Sequence, residues 1–462
     1  MASSRNINPN TIPLFTNAIA NIEHTLDSSA IRKGSRDFYW FSPILKEKLQ
    51  GLRADLIVFP STEEEVIQVI KTCVDFDLPL TVRGAGTGNY GQAMPLEGGV
   101  VLDTKRMSKV KEVRKNTVLT EPGIKLIDLE AETLKTEQEL RLYPSTKRTA
   151  TIGGFIAGGS TGVGAIEHGY LSDLDNIKSL RVVTMEREPR ALTLKGKDIG
   201  KAAHAYGTNG VITELEIGLT ESRDWVDVIV AFSSFNQALY FTQDLSNSSK
   251  IQKKEIAIFE APITSYFPNF SIPPTEHSCF MMVRNSDLDN LKELTTKFNG
   301  KVVYEKNNPE KNRQRPLYEF TWNHTTLHAI NRDPRVTYLQ SLFIIEDDFR
   351  MINKMRDYFK AELLMHLEAV LWNGKFALAG LQLVYFTSET RLNEIINYHE
   401  ENGIPIFNPH THILEDGGMK IVDPFQLDFK KAVDPAGLMN PGKMRGWWEG
   451  ADEDEINNAI FK

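Results

Sequence analysis

The stretch Leu78–Gln92, LPLTVRGAGTGNYGQ, constrains this chain more than any other. A short apolar run ending at Val82 suits a buried strand, and Gly84, Gly86, Gly88 and Gly91 follow it closely. Without a Cβ at these positions, successive backbone N–H groups can turn inward and form a concavity that takes an anion. The loop is therefore either a seat for a pyrophosphate or a ligand-free hairpin. Residues Gly86 to Gly91 fit the string GxGxxG, but that string marks a dinucleotide site only between a strand and a helix. No helix is expected to follow. Residues 92–101, QAMPLEGGVV, are broken by Pro95 and Gly98-Gly99 and lead into a second apolar run, Val100-Val101-Leu102. The Rossmann reading is rejected and the pyrophosphate loop retained.

A second stretch, residues 149–164, TATIGGFIAGGSTGVG, is built almost wholly of small side chains and again allows close backbone approach. It is not a P-loop, because Gly159 stands where GxxxxGK[ST] needs its lysine. Four strings in order then carry a resemblance: Arg83-Gly84-Ala85-Gly86-Thr87; Pro144 with Thr151-Ile152-Gly153-Gly154 and Ala157; Tyr206 to Glu214, YGTNGVITE; and Asp434 to Lys443, DPAGLMNPGK. Together they resemble the FAD-binding domain of the vanillyl-alcohol oxidase and p-cresol methylhydroxylase superfamily. The branch most similar is that of the glycolate oxidase flavin subunit and D-lactate dehydrogenase, and the resemblance runs from about Ala54 to Lys443. It implies an α+β fold, in which a two-subdomain FAD-binding domain carries a ferredoxin-like α+β cap. The cofactor contacts it implies are Arg83, Gly84, Ala85, Gly86, Thr87, Gly88, Asn89 and Gln92 in the first loop. Pro144, Thr151, Ile152, Gly153, Gly154 and Ala157 follow in the second, then Gly210, Ile212 and Asn440. Covalent attachment in relatives often uses a histidine at the position of Thr87, so a noncovalently held FAD is expected. Asp173, Leu174 and Asp175 read as an insertion relative to the family's spacing.

Composition narrows the alternatives. A net charge of −8 leaves no basic face for a nucleic acid. Cys73 and Cys279 lie far apart and form neither a metal pair nor a disulfide framework, which suits a reducing, cytoplasmic setting. The N-terminal residues do not read as a leader, and no run of about eighteen apolar residues suggests a membrane span.

The expected domains are an N-terminal extension (1–53), the FAD-binding domain (54–222), the cap (223–402) and a segment returning to the FAD-binding domain (403–462). Within the extension, the aromatic run Asp37 to Phe41 is expected to dock on the FAD-binding domain. Ser61 with Glu64 fits a capping box at the start of a helix reaching Phe76. In the cap, the order strand 226–232, helix 235–245, strands 256–260 and 278–283, helix 287–298 and strand 301–304 matches β-α-β-β-α-β. A long helix, 346–371, a strand, 376–386, and a helix, 389–400, are expected next. The acidic residues from Glu449 onward should be solvated.

Two histidine pairs could do chemistry. His324 and His328 would share a helix face, but Thr325 stands where HExxH needs glutamate, so a zinc protease is not indicated. The polar run from Trp322 is either a pocket wall or a satisfied structural cluster. His410 and His412 would share one face of a strand, either as metal ligands or hydrogen-bonded to backbone. The His-containing GDGN string of the 2-hydroxy-acid branch is missing, so no metal is expected. The leading reading is hydride transfer from an alcohol or 2-hydroxy acid to flavin N5, with His410 or His324 as base and Asn323 as an accompanying donor. Its partners are a small-molecule substrate and an unidentified electron acceptor. The alternatives are a non-redox flavoenzyme of the alkylglycerone-phosphate synthase type and a non-catalytic flavin-binding module.

Overall fold

The computed structural model describes residues 10–449 except 160, 174, 311–313, 347 and 419. The acidic stretch after Glu449 and the central residue of the 173–175 insertion lie outside the described residues.

Leu56–Val58, Val100–Asp103 and Leu80–Arg83 run parallel in a four-stranded sheet, edged by the antiparallel strand His24–Thr25. Parallel strands are covered on both faces and so read as short, mostly apolar runs. Helix Glu63–Asp75 packs Val66, Val69, Ile70 and Cys73 into this core. Its capping box lies one residue later than the sequence reading placed it. Thr62 Oγ1 accepts from Glu65 N–H at 3.2 Å, and Glu65 Oε2 accepts from Ser61 N–H at 2.6 Å. Both registers satisfy S/T-x-x-E, and in the observed one Glu63 also accepts from Arg181 (2.8 Å) and Thr213 (2.6 Å). The helix is thereby tied to the neighbouring sheet.

That sheet is antiparallel, in the order 110–114, 117–120, 211–221, 177–183, 191–195, with 138–140 pairing the far end of 211–221. No helix follows the first glycine loop, as expected from Pro95 and the glycine pair.

A third sheet holds seven strands in the order 301–307, 225–232, 277–284, 253–259, 366–372, 375–380, 341–344, antiparallel throughout. Its first four strands, with helices Phe235–Asn247 and Leu288–Lys297, give the four-one-three-two order of a ferredoxin-like unit. The expected long helix 346–371 is instead the short helix Arg350–Phe359 followed by strands Leu363–Leu364 and His366–Trp372. Strand His366–Trp372 has its first five residues buried on both faces, so it carries no alternation to separate it from a helix. The expected strand 376–386 is likewise two, Lys375–Gly380 and Leu383–Tyr385, in different sheets.

The last described stretch crosses back. Leu80 N–H donates to Leu438 O at 2.8 Å and Asn440 N–H to Leu80 O at 2.7 Å, which extends the parallel sheet by a bridge to Met439. No described helix is long and apolar enough to cross a membrane.

Candidate functional site

A cleft of about 800 Å³, its open mouth included, lies between residues 84–88 and the turn-helix 151–158. Glycines make it. A Cβ on Gly84 would stand 2.1 Å from Thr151 Oγ1, and one on Gly88 2.5 Å from Gln92 Oε1. Gly86 has φ +66° and lies over the Arg83 guanidinium, which a Cβ would meet at 2.2 Å. Arg83 is the strut beneath the loop, donating to Arg36 O and to Ala85 O. Across the cleft, helix Ile152–Gly158 begins at Thr151, whose Oγ1 is buried with no partner in the protein. A buried hydroxyl left unpaired costs about 1–3 kcal/mol, so its place on the cleft wall marks the position of a ligand atom. The residues present therefore fit a dinucleotide pyrophosphate: backbone exposed on one side, a free hydroxyl on the other.

Of the residues expected to touch the cofactor, Gly84, Ala85, Gly86, Thr87, Gly88, Gln92, Thr151, Gly153, Gly154, Ala157, Gly210 and Ile212 line this cleft. Arg83, Asn89, Pro144, Ile152 and Asn440 stand behind it. Ile152 is in the core of the second sheet. The carbonyl of Pro144 accepts from Lys147 N–H. Asn440 holds the walls together, donating to Gln92 O at 2.9 Å and Tyr206 O at 2.6 Å. Lining residues that sequence reasoning missed include Asp37, Thr104, Pro122, Ala202, Tyr206 and Gly207. Tyr206 and Gly207 stood inside a quoted string, whereas nothing in the sequence connects Asp37 with a loop so far along the chain.

Beyond the glycines the loop meets the cap. Asn89 Nδ2 donates to Tyr338 Oη at 2.7 Å. The Tyr90 phenol exchanges hydrogen bonds with the side chains of Gln340, Tyr338 and Asn323, and burial pushes its pKa up to about 12. Asn323 opens helix Asn323–Arg332, and its Oδ1 has no partner in the protein. His324 and His328 share one face of that helix. His328 stacks on Phe320, and His324 Nδ1 is buried without a partner. Burial lowers the His324 pKa to about 4.

His410 is placed differently. No strand forms around it, so it and His412 do not share a strand face. Its Nε2 lies 2.8 Å from Tyr338 O and its Nδ1 2.8 Å from Ser42 Oγ. A carbonyl can only accept, so Nε2 carries the proton and Ser42 donates to Nδ1. Both ring nitrogens are therefore occupied, and burial lowers the pKa to about 4. Neither histidine lines the glycine cleft.

Comparison with known proteins agrees with this geometry. Residues 54–188 match the model of an FAD binding domain. An uncharacterized FAD-linked oxidoreductase of Mycobacterium tuberculosis is 30% identical over 193 residues, 39% of this chain and 41% of that protein. A D-lactate dehydrogenase of Archaeoglobus fulgidus is 30% identical over 196 residues, 40% and 43% of the two chains. The glycolate oxidase subunit GlcD of Escherichia coli is 28% identical over 241 residues, 48% and 47%. The matched stretch thus spans less than half the length of each of these relatives. A solved structure of alkyldihydroxyacetonephosphate synthase superposes with a TM-score of 0.72 at 16% identity, covering 93% of this chain and 86% of that one, a likeness of fold. Residues 54–188 are thus an FAD binding domain, similar in sequence to FAD-linked oxidoreductases, and the cofactor is FAD.

Proposed function

We propose that this protein is an FAD-dependent oxidoreductase that oxidises the C–H of an alcohol or 2-hydroxy acid and passes the electrons to an external acceptor. The observation that carries the reading is the unpaired Thr151 hydroxyl facing a wall of glycine backbone. When bound, FAD supplies a hydride acceptor at N5; everything else is asked of the chain. The backbone of residues 84–88 and 151–157 takes the pyrophosphate, Thr151 Oγ1 donates to it, and Gly210 and Ile212 close the floor. Arg83 and Asn440 act from behind, keeping loop, turn and tail in register. Asn89, through Tyr338 and Tyr90, ties the loop to the cap and helps to exclude water there.

The substrate proton is assigned to His324 Nδ1. That nitrogen has no competing partner, and burial keeps the ring neutral near pH 7, ready to accept. The carboxylate of a 2-hydroxy acid beside it would favour the protonated ring and raise its basicity. Asn323, next in the chain and hydrogen-bonded with Tyr90, is assigned the orienting role.

The test is a panel of alcohols and 2-hydroxy acids with dye reduction and flavin bleaching as readouts. The purified protein should be yellow, release FAD on acid or heat denaturation, and lose flavin absorbance with at least one member of the panel. Colourless protein that takes up no added FAD would overturn the cofactor assignment. Retained flavin that no alcohol or hydroxy acid bleaches would overturn the redox reading alone, in favour of non-redox chemistry.

A further inference from the structure

One residue of the cleft lining precedes the matched domain in the chain. That domain begins at residue 54, yet Asp37 lines the cleft and is only 5% exposed. The segment bearing it is fixed to the glycine loop from both sides. Arg83 donates to Arg36 O, and Phe38 N–H donates to Gly88 O at 2.7 Å. Asp37 Oδ1 accepts from Tyr39 N–H at 2.9 Å and Oδ2 from Ala93 N–H at a long 3.3 Å. Lys443 and Arg83 supply the facing positive charge; Lys443 is buried and donates to Gly91 O.

An ionised carboxylate offers about four acceptor sites. Two are in use, one of them weakly, so the group retains acceptor capacity on the cleft side. Like charge excludes the pyrophosphate as its partner. A hydroxyl suits it, as where a buried acid in a dinucleotide site holds a ribose hydroxyl. FAD brings such hydroxyls on its ribityl chain and on its ribose.

We propose that Asp37 accepts a hydrogen bond from a polyol hydroxyl of bound FAD, with Lys443 as its counter-charge. The N-terminal segment then contributes a cofactor-binding residue to a domain that starts after it in the chain. This rests on FAD as cofactor and not on the redox reading.

The experiment compares full-length wild type with Asp37→Ala and Asp37→Asn. Each is stripped of flavin and titrated with FAD by fluorescence, and the melting temperature of the flavin-free form is measured in parallel. Asp37→Ala should weaken FAD binding at least tenfold. Asp37→Asn, which still accepts from Tyr39 N–H but leaves Lys443 without its counter-charge, should fold, melt below wild type, and bind FAD severalfold more weakly. Displacement of FAD by FMN and by ADP locates the hydroxyl: a loss confined to FMN places it on the ribityl chain, and a loss confined to ADP on the ribose. Unchanged FAD affinity in a folded Asp37→Asn variant would overturn the proposal. Equal losses for FMN and ADP would also overturn it, since one hydroxyl lies on only one half of the cofactor. If Asp37→Ala does not fold, Asp37→Asn decides alone.

Discussion

His324 and His410 look interchangeable in the sequence, each two residues or fewer from an asparagine, and their surroundings separate them. His324→Ala should keep its flavin and reduce it about 10²- to 10⁴-fold more slowly, the usual loss with a general base; stopped-flow flavin bleaching measures it. His410→Ala should act on stability, because Tyr338 O loses its donor from the ring and the Ser42 hydroxyl, which still accepts from Leu45 N–H, loses its acceptor, at about 1–3 kcal/mol for a buried group left unmet. Urea unfolding of the flavin-free protein reports that cost. If His410→Ala unfolds like wild type but reduces slowly, the roles are reversed. The glycines also divide. A Cβ on Gly153 would strike Pro122 at 2.4 Å and one on Gly86 the Arg83 guanidinium at 2.2 Å, so valine there tests the fold. At Gly154 the nearest atom is the movable Thr151 hydroxyl at 3.0 Å. Gly154→Val is therefore expected to fold, keep the helical and strand content of wild type, and be isolated without flavin. Normal flavin content in that variant would mean that phosphate does not approach this turn.

At the scale of elements, what could be read from the sequence follows a physical line. The parallel strands and the cap's first six elements carry their signals locally, as short apolar runs, amphipathic helices and turn residues between them. The glycine loop was legible for the same reason: a missing Cβ is visible in the sequence itself. Strand His366–Trp372 was not, since burial on both faces erases alternation. One local signal there was passed over. Asn373-Gly374 is the two-residue hairpin pair, and both residues have positive φ, +50° and +73°, between paired Trp372 and Lys375. A branched residue at Gly374 meets open space but a disfavoured backbone. Gly374→Val should thus destabilise the cap by roughly 1–2 kcal/mol, read from the unfolding midpoint, with no change in flavin content. The register of the capping box was undecidable locally, because Ser61 and Thr62 fit it equally and the choice brings Glu63 to Arg181, 118 residues away. Asp37 was invisible for a similar reason: its place depends on contacts across the fold.

Across the whole molecule, burial neutralises histidine. Nine of the ten, including His204, His277, His366 and His410, are pushed below their ordinary value of 6.5 by burial. For His204 and His410 the folded value is about 4, so between 6.5 and 4 the unfolded chain binds more protons. Stability from this source is complete above 6.5 and lost as pH falls toward 4. Buried acids oppose it. Burial lifts Asp227 to about 7 and pushes Glu255 and Glu368 well up, so their contribution is greatest in acid and fades as pH rises through the folded value. The histidines outnumber them, and the urea midpoint of the flavin-free protein should fall between pH 7 and pH 5. A midpoint that holds or rises over that range would show that the buried acids dominate.

The bridge from Leu80 to residues 438–440, with Lys443 Nζ on Gly91 O, sets an order of events during synthesis. Lys443 follows Gly91 by 352 residues. At about 5–20 residues per second, the ribosome delivers it roughly 20–70 s after the loop. Through that interval the nascent loop lacks the bridge from Leu80 to Met439 and the clasp of Asn440 on Gln92 and Tyr206. Cofactor capture is thereby deferred until the chain is nearly finished, and flavin enters a protein whose cap has already emerged.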